Sequence, residues 1–174
     1  LARGATGRDM ILKVEGSYHG HHDAVMVSVA PPLDQIGTRE DPISVPYGEG
    51  TPKALTDLTH TVPFNNVDAL KAVLENIGDQ VAGMIVEPAM MNINIIPPKD
   101  GYLQAVRELT EQYGIKLIFD EVKTGATMSH GGATGYYGVT PDMITLAKAT
   151  FGGYPGGSIG MSDEVAQLVE DDRV

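Results

Sequence analysis

Two short apolar runs, Leu117-Ile118-Phe119 and Met143-Ile144-Thr145-Leu146, most constrain what this chain can fold into. Each is bounded by turn residues and followed at once by charge: Asp120 and Glu121 after the first, Lys148 after the second. Uninterrupted runs of this length fit strands buried on both faces, as in a parallel sheet. In an open α/β sheet, ligands sit beyond the carboxyl ends of the strands. A carboxylate and a lysine are therefore both expected where chemistry is done. The glycine-rich segment Gly152-Gly153-Tyr154-Pro155-Gly156-Gly157 follows the lysine and lets backbone come close to whatever it holds.

The rest of the chain supplies matching pieces. Leu1 to Asp9 reads as the tail of a helix running into a loop, without a start signal. Met10-Ile11-Leu12-Lys13-Val14 is predicted as a strand, closed by Glu15-Gly16 and followed by the polar loop Ser17-Tyr18-His19-Gly20-His21-His22-Asp23. Residues 30–63 are rich in proline and glycine with little periodicity, and a loop of that length is usually functional or disordered. An amphipathic helix is predicted over Val67–Ile77, capped by Asn65 or Asn66. Val81 to Val86 is a buried strand ending in Glu87-Pro88, and Gly101 to Tyr113 is a helix stopped by Gly114. A last strand, Gly157 to Met161, precedes a helix running from Glu164 toward Arg173 without a cap. Both ends read as cut from a longer chain. Strands alternating with helices imply a layered α/β fold, a three-layer sandwich around a mostly parallel sheet.

Composition narrows the partners. The 174 residues suit one domain with a substantial core. A net charge of −11 argues against nucleic acid or an anionic membrane surface. No cysteine is present, so there are no disulfides and no thiolate zinc site, which fits a reducing compartment. No apolar run approaches transmembrane length, and the first residues are no signal peptide, so the expected location is the cytoplasm.

Four strand ends carry candidate groups: Tyr18, Glu87, Asp120 and Lys148. Each has an ordinary alternative. A lysine past an apolar strand is often a solvated end with its stem on the surface. Asp-Glu after a strand is often a cap, or the metal-binding carboxylate of an NTPase; no phosphate-loop motif is present to support the latter. His19, His21, His22 and Asp23 are crowded on one loop, which gives poor geometry for a metal without a distant ligand, so no metal is assigned. Their joint placement says more than any one of them.

These pieces carry a resemblance. Lys13-Val14-Glu15-Gly16-Ser17-Tyr18-His19-Gly20-His21, Ile85-Val86-Glu87-Pro88, Ile118-Phe119-Asp120-Glu121-Val122 with Thr124-Gly125, and Gly131-Gly132-Ala133 stand in order. Tyr137-Gly138-Val139-Thr140-Pro141-Asp142, Thr145-Leu146-Ala147-Lys148 and the glycine run from Gly152 follow. Together they resemble the middle of the large domain of the class III aminotransferases, fold-type-I enzymes dependent on pyridoxal 5′-phosphate, near the glutamate-1-semialdehyde aminomutase branch. The 28-residue separation of Asp120 and Lys148 matches that family's pattern.

The resemblance implies roles. Lys148 resembles the lysine that joins the cofactor as a Schiff base, for which a primary amine on a flexible stem is required. Asp120 resembles the carboxylate that pairs with the pyridine nitrogen and keeps the ring an electron sink. Tyr18 resembles the aromatic stacked on one ring face, His19 and Gly20 shape the turn, and Val122 packs on the opposite face. Glu87 matches a family glutamate near cofactor and substrate. The family's phosphate-gripping loop at a helix N-terminus and its C-terminal small domain are expected outside residues 1–174, which correspond to the central part of the cofactor-binding large domain. Residues 126–130 depart from the versions found in well-known branches, which leaves the substrate open.

The implied activity is transamination between an amine or amino acid and a keto or aldehyde compound, in a homodimer. Glutamate-1-semialdehyde 2,1-aminomutase activity, an intramolecular amino transfer, is the alternative, and a non-catalytic fragment or binding module is a third. Residues 30–63 and the apolar run Met90 to Pro97 are the expected subunit contacts.

Overall fold

The computed structural model describes residues 1–174. Six strands, β1 (Met10–Val14), β2 (Thr59–Val62), β3 (Val81–Val86), β4 (Lys116–Asp120), β5 (Met143–Ala147) and β6 (Gly157–Met161), form one sheet in the order β2-β1-β3-β4-β5-β6. All neighbouring pairs are parallel except β5 with β6, which run antiparallel. The expected mostly parallel α/β sheet is therefore present, with the short glycine-rich connection after β5 permitting the one reversal.

The pleat divides side chains between two cores. Leu12, Val14, Met84, Val86, Leu117 and Phe119 share one core with Leu70 and Leu74 of α3 (Val67–Ile77) and Leu103 and Val106 of α4 (Tyr102–Gln112). Ala82 and Met143, with Ile11, Ile118 and Met161, form the second core with Ala2 of α1 (Ala2–Thr6) and Val165 of α6 (Asp163–Glu170). Helices thus cover both faces, giving the three layers. Each fully buried Leu or Phe contributes about 1.5–3 kcal/mol relative to exposure. At Gly83 any Cβ would meet Ala2 Cβ at 2.9 Å, so the glycine lets α1 lie close on the sheet.

Local chemistry explains the boundaries. Asn66, one of the two residues expected to cap α3, accepts the Ala69 N–H at 3.0 Å, while Asn65 takes a left-handed φ of 60° just before it. Gly114 has φ 65° and ends α4. Arg8 Nη1 donates to the carbonyls of Gly78, Val81 and Tyr113 at 3.3, 3.1 and 2.8 Å, tying the ends of α3 and α4 to β3.

Regular structure appears in two segments where none was expected. β2 sits inside the proline-rich 30–63 segment, together with the short α2 (Lys53–Thr56). β2 is buried through threonines: Thr59 Oγ1 donates to Ala24 O at 2.7 Å, and the Thr61 and Ser44 hydroxyls lie 3.0 Å apart. Hydrogen-bonded hydroxyls replace the apolar run that marks the other strands. The second is α5 (Gly132–Tyr137), whose capping group comes from a distant carboxylate described below.

Candidate active site

The strand order places β2 on one side of β1 and β3 on the other, so the chain reverses its winding between β1 and β3. The carboxyl ends beside such a reversal form the ligand crevice of open α/β sheets. Tyr18 and His19 follow β1, and Glu87 follows β3. Asp120 ends β4 and Lys148 directly follows β5. All the candidate residues therefore share one edge of the sheet.

Buried polar groups shape the loop after β1. The turn passes through Gly16 at φ 78°, and Ser17 Oγ donates to Val14 O at 2.5 Å. Lys13 is completely buried; its Nζ donates to Ser17 O at 2.9 Å and to Val27 O. Burial pulls its pKa down to about 8, against the opposing attraction of Glu87 and Glu15. Glu87, also buried, accepts the Tyr18 N–H at 3.3 Å, the Met91 N–H at 2.9 Å and Asn92 Nδ2 at 2.9 Å. Lys123 Nζ donates to Asn92 Oδ1 at 2.6 Å, which ties the loop after β4 to the same network. The Tyr18 side chain stays uncommitted, with the residue 37% exposed.

His19 Nδ1 lies 2.7 Å from Asp120 Oδ2, while Asp120 Oδ1 accepts the Val122 N–H at 3.1 Å. The other imidazole nitrogen, Nε2, is buried without a hydrogen-bond partner. Asp120 is paired with Thr145 across β4 and β5, three residues before Lys148. Lys148 opens a 3₁₀ turn (Lys148–Phe151) with φ 50°, is exposed, and takes part in no ion pair. A left-handed φ on a non-glycine residue costs about 1 kcal/mol or more and marks a functional constraint often enough to be informative.

Glu121 differs from its neighbour. Its carboxylate accepts the N–H groups of Ala133 and Thr134 at 2.6 and 2.9 Å and the Thr134 hydroxyl at 2.5 Å, capping α5. Of the Asp-Glu pair, Glu121 is the structural cap, while Asp120 is bonded to His19 and the Val122 N–H at the strand end. A cleft of about 790 Å³ between the α5 segment and β5 and β6 touches Glu121, Thr134, Ile144 and Met161 but not Tyr18, Asp120 or Lys148.

Two hydrogen-bonded sets, Tyr18 with Glu87, Asn92 and Lys123 and His19 with Asp120 and Val122, are joined through the chain at Tyr18–His19 and Val122–Lys123; Lys148 stands at the adjoining strand end outside both. His21, His22 and Asp23 are exposed, and no three His, Asp or Glu side chains converge as a metal site. Lys13, Asn92 and Lys123 were not singled out from sequence. A lysine inside a predicted buried strand was the available signal for the first; nothing local marks the other two.

The aminotransferase class-III family model matches residues 1–172. The chain belongs to the class III aminotransferases. Over 169 residues, 97% of its length, it is 42% identical to glutamate-1-semialdehyde 2,1-aminomutase of Natranaerobius thermophilus, and it spans 38% of that relative. It is similar to an omega-transaminase from Sphaerobacter thermophilus, with TM-score 0.87 and 37% identity over 96% of this chain and 38% of that one. It is also similar to a glutamate-1-semialdehyde aminomutase from Pseudomonas aeruginosa in complex with PMP, with TM-score 0.81 and 30% identity over 98% of this chain and 35% of that one.

Class III aminotransferases are pyridoxal-phosphate enzymes of fold type I, and the donor set here fits the cofactor's ring. Asp120 would offer a carboxylate to a protonated ring nitrogen, Tyr18 an exposed aromatic side chain, and Lys148 an exposed amine outside any ion pair. The orphaned His19 Nε2 is a further donor or acceptor buried beside Asp120.

Proposed function

We propose that this segment carries the catalytic centre of a transaminase that moves an amino group between an amine or amino acid and a keto or aldehyde acceptor. The observation that carries the reading is the Asp120–Thr145 pairing, which sets a buried carboxylate on the strand next to an unpaired lysine in a left-handed conformation. When bound, pyridoxal phosphate supplies an electron sink that stabilises charge on the substrate's α-carbon. Asp120 holds a proton on the ring nitrogen, and His19 fixes which way that carboxylate points. Tyr18 would cover one ring face and Val122 the other. Lys148 Nζ would hold the cofactor through its primary amine and would carry a proton to and from the reacting carbon. Glu87 holds the backbone of the Tyr18 loop and borders the substrate space.

In this reading residues 1–174 are the central part of the cofactor-binding domain of a cytoplasmic homodimer. The phosphate grip and the small domain are supplied by chain outside the segment. The exposed apolar side chains Leu33, Ile43 and Tyr47, and Ile93, Ile95 and Ile96, support a subunit contact on residues 30–63 and 90–97.

A second reading, intramolecular amino transfer, is favoured by the 42% identity to a glutamate-1-semialdehyde 2,1-aminomutase. One experiment separates the two. A full-length protein carrying this segment is given a free amine with a 2-oxo acid, or glutamate-1-semialdehyde alone. Turnover of the first pair supports the transaminase; turnover only of the second supports the mutase. Inertness toward both, with cofactor added, refutes the catalytic reading.

A further inference from the structure

Lys13 has no task in the chemistry above, yet it is a costly residue in its place. It is the fourth of the five residues of β1, opposite Thr61 on β2 and Ile85 on β3, and is fully buried. An apolar side chain there would avoid the desolvation of a charge. The ammonium spends its hydrogen bonds on two backbone carbonyls, those of Ser17 and Val27.

The first of these carbonyls belongs to the peptide whose N–H is that of Tyr18. That same N–H donates to Glu87 Oε1 at 3.3 Å. One peptide unit is therefore held at its oxygen by a buried lysine and at its nitrogen by a buried glutamate. On the far side of the Tyr18 Cα, its own carbonyl accepts Asn92 Nδ2 at 3.4 Å. Gly16 at φ 78° and Gly20 at φ 90° bracket the segment, so both of its joints are glycines. Such joints have broad conformational freedom, and restraint has to come from elsewhere.

We propose that Lys13 and Glu87 act as a clamp on the Ser17–Tyr18 peptide that sets the position of the Tyr18 ring, making Lys13 a positioning residue for cofactor binding. This rests on the assignment of Tyr18 as the ring that stacks on pyridoxal phosphate. The Tyr18 side chain forms no aromatic pair and no hydrogen bond of its own in the chain, so its place is dictated by its backbone. A hydrogen-bonded clamp on both ends of one peptide delivers that control at the least distance from the Cα.

The test is a double-mutant cycle in the full-length holoenzyme, reading the Kd for pyridoxal phosphate and the visible circular dichroism of the bound cofactor. Lys13→Met keeps the length of the side chain and removes its donors; it is expected to raise the cofactor Kd about tenfold, the scale of losing a charged hydrogen bond, and to weaken the dichroic band. Lys13→Arg, which restores donors, recovers part of both. In a Tyr18→Ala background the Lys13→Met effect on Kd is expected to vanish, because it acts through the ring. Additive effects in the cycle, or a Lys13→Met enzyme with native Kd and dichroism, overturn the clamp. Should Lys13→Met fail to fold, the same cycle with Glu87→Met, which removes the acceptor of the Tyr18 N–H, carries the test: non-additivity with Tyr18→Ala supports the clamp and additivity overturns it. A Tyr18→Ala enzyme with native cofactor affinity removes the assignment of Tyr18 and the clamp together, so failure of the site reading is read separately from failure of the clamp.

Discussion

His19 Nδ1 and Asp120 Oδ2 stand 2.7 Å apart, linking the carboxyl ends of β1 and β4 across the intervening β3. The imidazole side chain is fully buried, so the contact is shielded from water. Replacing His19 by Phe fills the space but leaves one carboxylate oxygen without its partner. Loss of a hydrogen bond to a charged group costs about 1.5–3 kcal/mol, or roughly ten- to a hundredfold in rate if it is felt in the transition state. Steady-state kinetics of His19→Phe in a full-length enzyme are expected to show a fall in kcat of that size with the protein still folded. A His19→Phe enzyme with native kcat would mean the contact is a packing detail.

Asp120→Asn is expected to be more severe. A neutral amide accepts from the Val122 N–H as the carboxylate does, so the loop is kept, but it does not hold the ring nitrogen's proton. Leaving a buried charge without its counterpart costs roughly 3–5 kcal/mol, which is on the order of a hundredfold or more in rate. The expected enzyme binds cofactor and turns over slowly. Unchanged turnover would reduce Asp120 to a structural residue.

Lys13 gives a pH signature. Its pKa falls from 10.5 to about 8 on burial, so between those values the unfolded chain binds more protons than the folded one. Stability attributable to Lys13 therefore rises with pH through that window, by about 2 kcal/mol between pH 8 and 10. Denaturant titrations at the two pH values should show this increment in the native protein and its loss in Lys13→Met. An equal pH response in both proteins would contradict the charge state assigned to the buried amine.

The legible and illegible parts of the fold divide on a physical line. Elements held by their own apolar pattern were readable: α3 was expected at Val67–Ile77 and found there, as was β3 at Val81–Val86. Those held by polar groups from elsewhere were not. The threonines of β2 are buried by hydrogen bonds to Ala24 and Ser44, and α5 is begun by Glu121, which precedes it in the chain by a whole loop. The same line runs through the site. Asp120 and Lys148 stand out because each ends an apolar strand, while the His19–Asp120 contact spans a hundred residues and leaves no local mark. Lys13 looked like one polar residue within a strand; only its two carbonyl partners reveal its use.

Assembly can be tested on the exposed apolar residues. Ile95, at 64% exposure and φ 56°, sits at the tip of the Met90–Ile96 bridge beside Ile93 and Ile96. Burial of such a tip against a second subunit would account for its apolar character. Light scattering of a full-length protein at micromolar concentration is expected to give a dimer, and Ile95→Asp to shift it toward monomer with loss of activity. A fully active monomer would contradict the proposed contact.

Lys148 tests the central claim most directly. Borohydride reduction of the holoenzyme followed by peptide mass spectrometry should find the pyridoxyl group on the peptide containing Lys148, and Lys148→Ala should fold, lose that label and lose turnover. A label on Lys13 or Lys123 in its place, or near-native transamination by Lys148→Ala without added amines, would contradict it.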